Sequence, residues 1–162
     1  MRKEIEVFIE LSEGAVMPTY ANEGDAGMDV YALEDIIITP MDTKIVPTGI
    51  KVAVPDGYEI QVRPRSGISY KTPLRISNSP GTVDSKYRGD VGVIITNTSV
   101  YNPRKEYLID EKGNKQGTYK IRKGDRIAQI VLQEVPKIKF NKIDNIKDIE
   151  GDRNGGFGST GI

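Results

Sequence analysis

The 162-residue chain contains no cysteine and no histidine. Without cysteine there is no disulfide, no thiolate nucleophile and no sulfur-bound metal, which fits a reducing, intracellular setting such as the cytoplasm. Without histidine the commonest general base and the commonest transition-metal ligand are both missing. Any metal must then be held by oxygen, which points to Mg²⁺, and the natural base for activating a water becomes a positioned aspartate. The chain also lacks an excess of either charge, with 23 basic and 23 acidic residues. A broad nucleic-acid surface is therefore not expected, and any phosphate recognition is local. No apolar run approaches the length of a membrane span, and the start, Met1-Arg-Lys-Glu-Ile-Glu, is too charged for a signal sequence.

What is present is alternation. Ile5, Val7 and Ile9 oppose Glu4, Glu6 and Glu10 with a period of two, the signature of a half-buried strand. Further β-rich runs follow at 36–39, 44–46, 49–54, 58–62, 91–96 and 126–135. Pro40, Pro47 and Pro55-Asp-Gly57 read as the turns between them. Only 66–71 suggests a helix, and a short one. Many short strands separated by turns predict an all-β jelly-roll-like barrel or sandwich. Residues 1–140 form the domain, with a polar, turn-rich excursion at about 100–120 that reads as a protruding hairpin. Residues 141–162 form a charged linker and a glycine-rich C-terminal arm. Stretched, the stretch from Val135 to Arg153 covers roughly 50–60 Å, enough to reach a neighbouring subunit.

Five segments carry groups with chemical potential. Ala26-Gly-Met-Asp29-Val30 places a carboxylate beside a glycine, where it either caps a turn or serves a site. Arg63-Pro-Arg65-Ser66-Gly67 joins guanidinium, hydroxyl and glycine at a helix start, a combination that suits an anion or a surface ion pair. Asn78-Ser-Pro-Gly81-Thr-Val83-Asp84-Ser-Lys-Tyr87 reads as a hairpin turned at Pro80-Gly81, with Val83 inward and Asp84 next to it. In Gly124-Asp125-Arg126-Ile-Ala-Gln129, the amide of Gln129 interrupts an apolar strand, either as a satisfied buried group or as one aimed at a ligand. The tail, Arg153-Asn-Gly-Gly-Phe157-Gly158-Ser159-Thr160-Gly161, combines a phosphate-matching fork, a flat aromatic face and two hydroxyls on a flexible backbone.

In this order, AGMDV, RPRSG, GTVDSKYRGDVGV, GDRIAQIVL and RNGGFGSTG resemble the five motifs of the trimeric dUTPases, from about Gly24 to Gly161. The resemblance implies a jelly-roll homotrimer with active sites shared between subunits, hydrolysing dUTP to dUMP and pyrophosphate with Mg²⁺. It implies Asp84 as the carboxylate that activates the attacking water. Arg65, Ser66, Gly67 and Gln129 would hold the phosphates. Arg153, Gly158, Ser159 and Thr160 would close over the γ-phosphate, with Phe157 stacked on uracil. Asn78, Gly81 and Val83 would line the base pocket, with Asn78 reading the uracil edge and Tyr87 packing on deoxyribose. Asp29 would organise Mg²⁺ through water. The same fold group includes dCTP deaminases, which use a glutamate-centred arrangement where this chain has Asp84, and a dUTP-dependent regulatory binding protein is an alternative of another class. The excursion at 100–120 is longer than the link many family members have; the resemblance leaves it dispensable for hydrolysis and available to a protein partner.

Overall fold

A computed structural model describes residues 3–151. In chain order the strands are β1 (Phe8–Leu11), β2 (Met28–Tyr31), β3 (Ile36–Ile38), β4 (Thr43–Ala53) and β5 (Tyr58–Arg63). The helix α1 (Ser66–Lys71) comes next. It is followed by β6 (Leu74–Ile76), β7 (Gly81–Val83), β8 (Val91–Asn97), β9 (Glu106–Leu108), β10 (Thr118–Ile121) and β11 (Arg126–Glu134). They form three sheets, ordered β1-β4-β8-β6, β2-β11-β5-β7 and β3-β10-β9. The fold is jelly-roll-like and all-β, and among the described residues it has one short α-helix, where the sequence predicts it. Among the described residues no helix is long and apolar enough to cross a membrane.

Period-two burial builds the core. On β8, Val91, Val93 and Ile95 point inward, and Asn97 continues the same register. All three sheets feed one hydrophobic cluster: Val46 and Val93 from the first, Val30 and Val62 from the second, Ile38, Tyr119 and Ile121 from the third. Asn97 is fully buried yet polar. Its Nδ2 donates to the carbonyls of Ile38 (2.9 Å) and Gly117 (2.8 Å), and its Oδ1 accepts from the Ser99 amide (3.0 Å). A buried amide satisfied this way is a specific tie between sheets.

Three local expectations change. Pro47 does not end a strand: β4 runs through it, and the pairing with β8 shifts register between Pro47 and Ile50. A bulge is where a strand tolerates a residue with no N–H. The segment 78–84 is not a hairpin, because β6 pairs with β8 while β7 pairs with β5. The chain crosses from one sheet to another between them. The 100–120 excursion is not a solvated hairpin either. Its strand β9 lies parallel to β10, and Tyr107 is buried against Tyr119, with ring centroids 5.8 Å apart. Burying two aromatics makes this segment part of the core.

Candidate active site

The centre of the site is the end of the second sheet. Asp29 on β2 faces Gln129 on β11 across an antiparallel pair, and Gln129 in turn faces Arg63 on β5. Arg65 follows β5 directly and precedes α1. Antiparallel register thus gathers motifs that are distant in the chain. Arg126 and Gln129 are three residues apart, so in a regular strand they would face opposite ways. A bulge between Arg126 and Ala128 supplies the extra residue and returns both to one face.

The result is a clamped carboxylate. Asp29 Oδ1 accepts from Arg65 Nε at 2.9 Å and Oδ2 accepts from Arg126 Nη1 at 3.2 Å. The Arg65 guanidinium also reaches the Arg126 carbonyl at 3.4 Å. The Asp29 side chain is only 14% exposed, against 52% for that of Arg126. One acid therefore holds two guanidiniums in place while leaving their outer donors toward solvent. Gln129 Nε2 donates to the Pro64 carbonyl at 3.0 Å, which orients its Oε1. A Cβ at Gly27 would stand 2.6 Å from that oxygen and would displace the Gln129 amide. Asp29, Arg65, Ser66, Gly67, Arg126 and Gln129 line an open cavity of about 330 Å³. The two readings left open for Arg65, ion pair or anion binder, are thus compatible. Arg126 is a lining residue of this cavity that sequence reading left out. It was present in the quoted motif, but only the bulge reveals its direction.

Asn78, Gly81, Val83 and Tyr87 come together at a second, smaller cavity of about 110 Å³, with Val62 and β8 as its floor. The Tyr87 hydroxyl donates to the Asp90 carbonyl at 2.9 Å, and the Tyr87 amide donates to the Asp84 carbonyl at 3.0 Å. This turn leaves the tyrosine ring exposed at the rim. Asp84 itself is exposed and lines a third cavity, with Tyr58, Glu59, Lys86 and Pro136. One chain therefore does not bring Asp84 to the Asp29–Arg65 cleft. Arg153, Phe157, Gly158, Ser159 and Thr160 lie outside the described residues.

The donor set bears on a metal. Among the described residues no three His, Cys, Asp or Glu side chains form a metal-binding group, and both oxygens of Asp29 accept from arginines. That does not make a protein cage. Such a donor set suits only a hard cation that takes most of its ligands from elsewhere.

The chain matches the dUTPase family model over residues 13–102 and 112–161. The unmatched stretch, 103–111, carries β9. The deoxyuridine 5′-triphosphate nucleotidohydrolase of Zymomonas mobilis is 43% identical over 145 residues, which cover 90% of this chain and 88% of that protein. Among solved structures, a variant of the Staphylococcus bacteriophage 80alpha dUTPase with dUpNHpp is similar with a TM-score of 0.84 at 28% identity, covering 97% of this chain and 99% of that one. A variant of the dUTPase from phage phi11 of S. aureus, whose structure details the coordination of a structural Mg(II) ion, is similar with a TM-score of 0.79 at 28% identity, covering 88% and 99%.

Proposed function

The chain belongs to the dUTPase family, and from that premise we propose how its residues divide the hydrolysis of dUTP among themselves. The observation that carries the proposal is the cavity where Asp29 fixes Arg65 and Arg126 beside Ser66, Gly67 and Gln129. Its two arginines and the α1 start suit the triphosphate. Arg65, Ser66, Gly67 and Gln129 hold the phosphates, and Arg126 joins them. The Asn78–Tyr87 cavity takes the deoxyuridine: Asn78 and the backbone at Gly81 and Val83 read the uracil edge. Tyr87 packs on the sugar and blocks a 2′-hydroxyl. Arg153, Phe157, Gly158, Ser159 and Thr160 form the arm that closes over base and γ-phosphate.

Asp84 accepts a proton from water as its oxygen attacks the α-phosphorus. The bond from that phosphorus to the bridging oxygen of pyrophosphate breaks in line, giving dUMP. Positioning and charge stabilisation contribute most of the acceleration, and the base about 10²–10⁴-fold. Mg²⁺ bound to the triphosphate, with Asp29 as its contact through water, would neutralise charge on the departing pyrophosphate.

Three separate cavities in one chain support a site assembled from several copies, as in a homotrimer. The exposed Ile138 and Phe140, alternating with Lys137 and Lys139 beyond β11, support it further. Such an apolar row suits another subunit. Domain 1–140, with its excursion, and the segment 141–162, as linker and arm, serve this assembly. Exposed Val100 and Tyr101 at the base of the excursion suit contact with a protein partner.

Co-expression of Arg65→Ala and Asp84→Asn chains tests the sharing. Each variant alone is nearly inactive in a pyrophosphate-release assay. If phosphate cleft and base come from different chains, random mixing restores about a quarter of wild-type activity. A mixture no more active than its separate components refutes a shared site. A panel of dUTP, dCTP, dTTP and UTP, with ammonia release measured on dCTP, separates hydrolase from deaminase.

A further inference from the structure

We infer that the excursion between β8 and β10 is a positioning device for the phosphate-binding helix, acting through the backbone of Asn114. The inference deepens the proposed reading of Arg65, Ser66 and Gly67 and rests on it.

Helix α1 has little of its own to hold it. It has six residues, none fully buried and only Ile68 packed against the core, and Arg65 at its N-cap offers no side-chain cap. A helix this short does not persist in water by itself. Its N-terminal end is fixed by the Arg65–Asp29 pair and its middle rests on the core through Ile68, so what remains to be set is how the C-terminal end is held. Several contacts hold it, among them Arg75 Nη1 donating to the Thr72 carbonyl at 2.8 Å. Thr72 Oγ1 donates back to the Ile68 carbonyl at 2.8 Å. Thr98 binds the Pro73 carbonyl through its amide (3.0 Å) and its hydroxyl (2.7 Å). The Asn114 amide donates to the Lys71 carbonyl at 2.8 Å, satisfying one of the acceptors a helix end leaves open. Of these donors, only Asn114 comes from the excursion.

The excursion is built to aim that amide. Gly113 and Asn114 have φ of 103° and 47°, a region most side chains avoid and asparagine tolerates. The next residue, Lys115, is held from both ends. Its carbonyl accepts from the Tyr119 hydroxyl at 2.9 Å, and its ammonium meets Glu111 at 2.9 Å. Tyr119 is fully buried. The Gly117 amide donates to Ser99 Oγ at 3.1 Å, and its carbonyl accepts from Asn97. Core side chains therefore fix the stretch that presents Asn114, and Asn114 fixes the far end of the helix whose near end meets phosphate. A load on the excursion is transmitted to the phosphate grip.

The test compares Asn114→Val with Asn114→Gly. Valine resists positive φ, whereas glycine adopts it freely. Gly113→Val is a second disrupting variant, since a side chain there meets open space and only the backbone is strained. Affinities for the non-hydrolysable dUTP analogue dUpNHpp and for dUMP are measured by calorimetry, with Tm recorded alongside. Both valine variants should bind dUpNHpp about three- to tenfold more weakly, the size of one lost hydrogen bond to a helix end. Their affinity for dUMP should hold, and Asn114→Gly should match wild type. Equal affinities in the valine and glycine variants overturn the inference. Parallel loss of both ligands together with Tm also overturns it, leaving a structural role only. An Arg65→Ala chain tests the underlying reading separately: unchanged dUpNHpp affinity there removes Arg65 from the phosphates, whatever Asn114 does.

Discussion

Asp29 and Asp84 are both aspartates in glycine-containing motifs, and the chain treats them oppositely. Asp29 is largely buried with both oxygens committed to arginines. Asp84 stands exposed at the end of β7, with no side-chain hydrogen bond to another described residue in its own chain. An acid that must hold a binding surface in shape is best satisfied in advance. An acid that must take a proton is best left with its lone pairs open until substrate and water arrive. On the proposed reading, the contrast separates a carboxylate that builds the site from one that reacts in it.

Replacing each in turn breaks the comparison at its two ends. Asp84→Asn should lower kcat about 10²–10⁴-fold while dUpNHpp still binds, because geometry is kept and only the base is lost. Undiminished turnover would remove Asp84 from the chemistry. Asp29→Asn should act mainly on KM. Two guanidiniums would lose their shared counter-charge and spread apart, weakening kcat/KM about tenfold to a hundredfold and lowering Tm. A pure kcat loss with unchanged KM would give Asp29 a direct part in the reaction instead.

Tyr87→Ala sharpens the comparison from the side of specificity. The ring is at the rim and hydrogen-bonded through its hydroxyl to Asp90. Its removal should leave dUTP turnover within about tenfold and reduce the dUTP-to-UTP ratio of kcat/KM, since a sugar wall discriminates by exclusion. An unchanged ratio assigns the 2′-hydroxyl check elsewhere.

The smallest effect lies outside the site. Asp35 is held below the ordinary carboxylate range by the Lys123 amide and then by Lys120, and Glu111 by the Leu108 amide and then by Lys115. A carboxylate with a lowered folded pKa contributes stability above its unfolded value and loses it as pH falls through the folded one. Tm should therefore be level from neutral pH to about pH 5 and decline below about pH 4. Asp35→Asn with Glu111→Gln should make that decline shallower.

Strands whose residues alternate cleanly were legible in the sequence, as on β8, because period two is a property of neighbours alone. The helix at 66–71 was legible for a similar reason: Pro73 pushes Thr72 into extended backbone and fixes the end. What could not be read was partnership across the fold. Turn residues at 77–80 look the same whether the flanking strands pair with each other or join different sheets. Pro47 looks like a break unless the bulge opposite β8 is known. Tyr107 and Tyr119 sit in polar surroundings in the chain, so their meeting in the core had no local sign. Arg126 is the sharpest case, since its side of the strand depends on one irregular residue.

The crossing at 77–80 has a consequence for selectivity. In the proposed reading Asn78 and Gly81 face the same nucleobase, yet β6 and β7 anchor them to separate layers. A Cβ at position 81 would already come within 3.2 Å of the Asn78 amide. On that reading the gap between layers works as a caliper, so a core substitution that changes the spacing of the two sheets should change the discrimination among pyrimidines.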